Sequence, residues 1–380
     1  MQGLYDEGLS PIGARNVIQD RNATAALKDP AKLQTYTDAG FKAGEAHLLE
    51  SSALGVEGGR MYRAMGLAIT PQTVTKEFRD QMLSGPMKQL GSGAFNTVFS
   101  AKYHTSEGLF KGVFKPLKAP DQTRTNEVET GWVASRTGID PYNPQIAMRN
   151  IATTDVAKML GFNVVPRTEI GSRTPPPPPD NQPPQLGLVM SMAQGSPGAK
   201  THFSVFTNPD VRREVTKLQL LDHLVGQGDR HSNNYFINVD SNGKVTVTGI
   251  DNDQCFGKDL HDPNGIAQGT SHLNKGFRGT RMPPVIDTEM AKAFEDMKPE
   301  DLEASLRGKL TTAEIAAAKD RLTGIKAHIK DLRDKGMIID PDAWGSDKVS
   351  NALNKSNSYV GRDYGHAYRK AQQQQDMFGI

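Results

Sequence analysis

Asp229, Asn234 and Asp251 are the side chains whose types and spacing best suit chemistry. They fall within one stretch, Gln219 to Gly257. An apolar helical run ends at Gly226-Gln227-Gly228, and Asp229-Arg230-His231-Ser232-Asn233-Asn234 follows. Tyr235-Phe236-Ile237-Asn238-Val239 reads as a strand. Asp240-Ser241-Asn242-Gly243 is a turn with the Asn-Gly hairpin signal. Lys244 to Ile250 is the returning strand, and Asp251-Asn252-Asp253 comes next. A hairpin brings its second strand back beside its first, about 5 Å away. Asn234 precedes the first strand and Asp251 follows the second, so both lie at the open end, and Asp229 is on the loop feeding it. Two carboxylates and an amide oxygen make a hard-oxygen site. Mg2+ takes such ligands, one or two from protein and the rest from phosphate oxygens and water. A site with few protein ligands leaves room for a nucleotide.

A second group lies upstream. Gly91 and Gly93, around Ser92, let backbone N–H groups approach phosphate oxygens because no side chain intervenes. Lys115 ends a strand candidate and is a suitable phosphate-facing cation. Each feature alone is weak, since Gly-Ser-Gly is usually a turn. Their order is more specific. Glycine loop, strand lysine, helix, linking strand, Asp-x-x-x-x-Asn, hairpin and Asp is the layout of a two-lobed phosphotransferase.

The elements that must position these groups divide into two halves. Lys88-Gln89-Leu90, Thr97 to Tyr103, Leu109 to Lys115 (stopped by Pro116), Val164 to Ile170 and Leu186 to Met192 read as strands. Asn150 to Leu160 has helical spacing with Gly161 as a stop. Between the last two strands stand five prolines, Pro175 to Pro179, in an exposed polyproline-II insert spanning 174–184. It is read as a surface loop or as a ligand for an aromatic-lined groove. Gly195-Ser196-Pro197-Gly198 ends the strand-rich half. Val215, Leu218, Leu221, Leu224 and Val225 then recur at three to four residues, an amphipathic helix. Thr311-Thr312-Ala313-Glu314 has capping-box spacing before a long helix over Ile315 to Lys335. The expected fold class is therefore α+β, strand-rich first and helical second. Residues 1–84 read as an extension without evident chemistry, 85–193 as the first lobe, 194–340 as the second, and 341–380 as a mobile C-terminal tail.

Composition narrows the classes. The chain has 380 residues, with 45 basic against 43 acidic side chains and a net charge of +2. That balance excludes a strongly electrostatic nucleic-acid binder as the default. No apolar run approaches the roughly 18 to 20 residues of a spanning helix, and the first residues lack a signal-peptide pattern. Cys255 is the single cysteine, so no intrachain disulfide framework exists. His223, His231, Cys255, His261 and His272 do not fall at zinc-ligand spacings. A cytosolic compartment is expected, in the producing cell or in a host cell reached by a route independent of a signal peptide.

With these residues in view, the chain resembles the kinase superfamily, and within it the atypical branch of phosphatidylinositol 3- and 4-kinases and HipA-like kinases. Asp229-Arg230-His231-Ser232-Asn233-Asn234 matches their Asp-Arg-His-x-x-Asn, and Ile250-Asp251-Asn252 their Ile-Asp metal motif. Val113-Phe114-Lys115-Pro116 looks like the Phe-Lys-Pro lysine strand of some members. Arg149 to Thr153, the proline insert and the C-terminal helices also resemble kinase-like effectors that bacteria inject into host cells. The resemblance covers about Met87 to Lys335 and implies a two-lobed protein-kinase-like fold with ATP and Mg2+ as cofactors.

The resemblance also implies roles. Asp229 would orient or deprotonate the acceptor, and His231 would be structural or touch the transferred phosphoryl group. Asn234 and Asp251 would hold Mg2+. Gly91, Ser92, Gly93 and Lys115 would bind the nucleotide phosphates, and the backbone near Met190 to Met192 would pair with adenine. Phe256 to Pro284 would be the activation or substrate loop, with Lys258, Lys275, Arg278 and Arg281 facing an anionic substrate. The helix glutamate that pairs with the strand lysine is not obvious; Asp155, Glu127 and Glu129 are the nearby carboxylates. Asp253 is either a further metal ligand or a solvated turn residue. The expected activity is transfer of the γ-phosphate to a protein, with an activating partner allowed for. A lipid or small-molecule kinase, a nucleotidyltransferase and a non-catalytic scaffold using the proline run remain as alternatives.

Overall fold

A computed structural model of the chain describes residues 74–92, 97–117, 137–139, 145–174, 185–267, 278–355 and 357–378. Gly93, Glu127, Glu129, the Pro175–Pro179 run and Lys275 lie outside the described residues. The fold is α+β, with two antiparallel sheets and one two-stranded parallel pair among the described residues. Two compact units account for it. The first holds the described residues through Ala152, with Arg167–Met192 and Leu306–Ile315. The second holds Thr153–Pro166, Ala193–Ser305 and Ala316–Ile380.

The first unit is built on a five-stranded sheet. Its strands are β1 (Lys88–Ser92), β2 (Thr97–Thr105), β3 (Gly108–Pro116), β4 (Thr168–Arg173) and β5 (Gln185–Ser191), in the order β1-β2-β3-β5-β4. Every pairing is antiparallel. Alternation along β3 sends Phe114 to one face, where it packs with Phe78, Ala101, Tyr103 and Val189. Lys115 goes to the other face, directly opposite Leu188 of β5. Phe78 precedes the sheet, in the segment read as part of an extension. It packs edge-on against Tyr103, with centroids 5.3 Å apart, so residues from Val74 onward belong to this unit's core.

Strand β4 starts at Thr168, later than the Val164 expected, because the stretch with Pro166 gives up its ladder bonds. Two close approaches need glycine. A Cβ on Gly112 would lie 2.5 Å from the Met190 carbonyl oxygen, and one on Gly187 would lie 2.4 Å from the Phe114 ring.

Helix α1 spans Ile146–Met159, and Gly161 at φ 69° follows it. In the second unit α2 (Pro209–Val225) is the central element. Asn208 caps it, accepting from the N–H groups of Asp210 and Val211 at 2.9 and 3.3 Å, and Pro209 takes the first helical position. The sequence suggests one apolar stripe, but Arg212, Thr216, Gln219, Asp222 and His223 are buried as well. Each has a partner. Arg212 bonds Ser350 at 2.8 Å, Gln219 bonds Thr280 at 2.8 Å, and His223 Nδ1 donates to the Pro263 carbonyl at 2.6 Å.

The short β6 (Ser196–Pro197) pairs with β7 (Tyr235–Val239), which pairs with β8 (Val245–Gly249). Gly195–Gly198 thus adds an edge strand instead of only ending one. The hairpin closes through a three-residue loop between Asp240 and Lys244, not a two-residue Asn-Gly turn. Gly243 takes φ 80°, and the Asp240 carboxylate accepts from Asn242 and Lys244 N–H, both at 2.9 Å.

A parallel pair, β9 (Ile286–Asp287) with β10 (Ile338–Ile339), accompanies α3 (Thr288–Asp296) and α4 (Pro299–Leu306). Helix α5 runs Thr312–Asp334. Its capping box is formed: Glu314 N–H donates to Thr311 Oγ1 at 3.3 Å, and Thr311 N–H donates to Glu314 Oε2 at 2.9 Å. The segment read as a tail contains α6 (Asp347–Leu353) and α7 (Tyr359–Phe378). Trp344, Val349, Leu353, Tyr359 and Val360 are buried there, so it belongs to the second unit's core.

Candidate active site

The loop between α2 and β7 carries the Asp-x-x-x-x-Asn segment, and its shape is set from both ends. At its start Gly226 adopts φ 70°, ψ 39°, which a Cβ would strain, and the N–H groups of Gly226 and Gln227 both return to the Asp222 carbonyl. At its end the Ile250 N–H donates to the Asn234 carbonyl at 2.8 Å. The residues flanking the hairpin's open end are thereby tied together. Asn234 just before β7 and Asp251 just beyond β8 occupy the relationship expected from their order.

Arg230 holds this end from beneath. Its side chain is fully buried. Nε and Nη2 donate to the two oxygens of Asp222 at 2.9 and 3.0 Å. Nη1 donates to the carbonyls of Asn234 and Ile250, and Nη2 also donates to Asn252 Oδ1 at 2.6 Å. One guanidinium therefore spans the helix, the loop and both residues flanking Asp251. Burial opposes its charge, but the Asp222 carboxylate outweighs that and raises the Arg230 pKa above its ordinary value. Gln227 makes a second tie: its Oε1 accepts from Asp229 N–H at 2.9 Å, and its Nε2 donates to the Asp251 carbonyl at 3.0 Å.

The candidate side chains belong to the segments so tied. Asp229 is partly buried, and Arg278 Nε approaches its carboxylate at 3.5 Å. Burial pushes the Asp229 carboxyl up to about 6; Arg278 pulls it down, and the Asp251 and Asp253 carboxylates push it up again. A carboxyl near that value is suited to exchanging a proton near neutral pH. Asn234 Nδ2 donates to the Asp229 carbonyl at 3.0 Å, which commits its amide nitrogen and leaves Oδ1 as the atom able to meet a cation. His231 Nδ1 accepts from Asn233 N–H at 3.2 Å. Burial, then Arg278, depresses its pKa to about 4, so the imidazole is neutral at pH 7. Asp251 sits in the left-handed region at φ 59°, ψ 55°, and is solvent-exposed. A Cβ-bearing residue held there stores backbone strain of the kind found at functional sites.

The donor set of Asp229, Asn234 and Asp251 is all oxygen, and the loop before β7 and the segment after β8 that carry it are tied to each other, which fits a hard divalent cation. Asp253 is close enough to raise the Asp229 carboxyl.

The remaining expected site residues belong to the first unit. Lys115 is buried on β3. Gly91 lies at an irregularity in the β1–β2 register, exposed, and a Cβ there would meet nothing within 4 Å. Its φ is not in the left-handed region, so the described conformation does not itself demand glycine. Ser92 ends β1. Met190 corrects an expectation. It pairs with Val113 on one side and Thr168 on the other, so its N–H and C=O belong to the sheet ladder and are not offered to an adenine. Its side chain packs with Val74, Ala147, Ile170 and Leu188. Met192 lies one residue past the end of β5.

Gln227, Tyr359, Arg362 and Asp363 were not evident from sequence. Gln227 alone left a local signal, a polar residue between two glycines at a helix end. Compared with protein-family models and with curated proteins, the chain matches none. Among the described residues no helix is long and apolar enough to cross a membrane.

Proposed function

We propose that the chain is an ATP- and Mg2+-dependent phosphotransferase on a two-lobed kinase-like fold, moving the γ-phosphate of ATP to a protein acceptor. The observation that carries this reading is the tied open end of the β7–β8 hairpin. Asp229 and Asn234 on one segment and Asp251 on another are offered there, both segments fixed by the buried Arg230 and by Gln227.

In this reading Asn234 and Asp251 hold Mg2+, which when bound neutralises charge on the nucleotide phosphates. Asp229 accepts the proton of the acceptor hydroxyl, and its raised pKa suits that task. Such help is worth about 10² to 10⁴ in rate. His231, neutral at pH 7, leaves the carboxylate as the base. Arg278 balances the Asp229 charge until an acceptor arrives. Lys115 and the Gly91–Gly93 loop enter the reading through the order of motifs along the chain, as groups for the nucleotide phosphates.

The test is incubation with Mg2+ and ATP labelled separately at the α and γ phosphates, with cell extract and phosphoinositide vesicles as acceptors, beside Asp251→Ala. Transfer of the γ label to protein, lost in the variant, is the expected result. Transfer to lipid would change the acceptor class. Transfer of the α label would replace the reading with nucleotidylation. A variant as active as the parent chain would overturn the site assignment.

A further inference from the structure

We infer that Arg362, on the first turn of α7, is a positioning residue for Asp229, and that α7 is therefore part of the machinery of the site. The inference rests on the phosphotransferase reading only for its kinetic consequence.

The contacts form a closed circuit. Arg362 Nη1 donates to the Arg230 carbonyl at 3.1 Å and also to the Arg278 carbonyl. The Arg278 N–H donates to the Gly228 carbonyl at 2.8 Å. Gly228, Asp229 and Arg230 are consecutive. Asp229 is thus the residue enclosed by the ring, with the carbonyls on either side of it both spoken for. Arg278, the cation 3.5 Å from its carboxylate, is pinned at its own N–H and C=O by the same ring. One guanidinium fixes both the carboxylate's loop and the charge that faces it.

Arg362 is itself held rigidly. Nε and Nη2 bond the two oxygens of Asp363, each at 2.8 Å. Its Cζ lies 4.5 Å from the Tyr359 ring centroid. Asp363 Oδ2 accepts from the Tyr235 hydroxyl at 2.5 Å, and Tyr235 is the residue after Asn234. Tyr359 donates to Asp222 Oδ2 at 3.0 Å, the carboxylate that grips Arg230. Three neighbouring residues of α7 therefore reach three points around the site. A helix needing only hydrophobic docking would not bury an Asp and a Tyr hydroxyl beneath a half-buried Arg, since each costs desolvation unless paired.

The experiment uses the full chain with Arg362→Ala, Arg362→Gln and Arg362→Lys. Two readouts are taken. Amide hydrogen exchange over 228–234 is expected to rise about tenfold or more in the Ala and Gln variants, with exchange in α5 unchanged. In Mg2+–ATP turnover the kcat is expected to fall about 10- to 100-fold in the same variants, the size of effect a misplaced reacting group produces, with KM for ATP within about twofold. Arg362→Lys, which keeps the charge on a single donor nitrogen, is expected to recover part of both. Unchanged exchange over 228–234 in Arg362→Gln overturns the inference whether or not the chain is a kinase. Loosened exchange with full kcat overturns the positioning role. Loosened exchange in a chain with no turnover at all upholds the structural tie and instead removes the phosphotransferase reading. If Arg362→Ala does not fold, the Gln variant decides.

Discussion

Arg230 donates to both carboxylate oxygens of Asp222, at 2.9 and 3.0 Å, and neither side chain is exposed to solvent. The pair joins the last turns of α2 to the loop bearing Asp229 and Asn234. Removing one partner leaves a buried charge uncompensated, which costs about 3–5 kcal/mol. Asp222→Asn should lower the urea midpoint accordingly and loosen the loop. A midpoint shift worth less than about 1 kcal/mol would show that the pair is not structurally important.

Asp251 separates stability from activity. Its left-handed backbone is unfavourable with a Cβ, so Asp251→Gly should leave stability unchanged or raise it by up to about 1 kcal/mol. The same change removes a proposed metal ligand and should abolish Mg2+-dependent turnover. Thermal melts and label transfer on one preparation check both halves. A destabilised Gly variant would mean that the Asp251 side chain supports the fold.

The pH dependence of stability follows from His223. Burial pushes its pKa from the ordinary 6.5 to about 4. Between those values the unfolded chain takes up the proton first, so stability falls as pH is lowered through that window. His231, also depressed to about 4, acts in the same direction. Asp229, raised from 3.8 to about 6, acts oppositely: the folded carboxyl holds its proton more tightly, and acidification from 6 to 3.8 favours the fold. His223→Asn keeps a donor for the Pro263 carbonyl and removes one titration. The urea midpoint should then drop less between about pH 7 and about pH 5 than in the parent chain. Parallel slopes would refute the assignment.

Glu314 has two tasks. It completes the capping box with Thr311 and also pairs with the buried Arg149. Thr311→Ala should cost about 1 kcal/mol, the usual worth of a cap. Glu314→Ala strips a buried charge as well and should cost about 3 kcal/mol or more. Equal losses, measured by melting both variants, would argue that the ion pair contributes nothing.

Local patterns made part of this molecule legible before its fold was known. The capping box at Thr311–Glu314, the stop at Gly161 and the hairpin placing Asn234 beside Asp251 are all encoded within a few residues or one turn. The ties between distant segments were not. Gln227 bridges the Asp229 N–H and the Asp251 carbonyl, 24 residues apart in the latter case. Tyr359 reaches Asp222 across 137 residues, and no spacing rule signals such a contact. Residues 341–380 read as a tail because their polar end, with Gln372 to Gln375, reports the exposed half of α7 and hides its buried first turn. The backbone near Met190 was read as pairing with adenine, whereas Met190 lies between β3 and β4 with its main chain in the ladder, a fact of sheet order.

The 132 residues between Arg230 and Arg362 have a consequence for how the chain is made. Asp229 and Asn234 leave the ribosome well before the helix that braces them. At about 5–20 residues per second, roughly 7 to 26 s pass before Arg362 is synthesised. During that interval Arg230 has its carboxylate partner but the loop lacks its outer brace. A nascent chain, or one cut short before Tyr359, carries every residue of the Asp-x-x-x-x-Asn segment without the contacts of Arg362 around it.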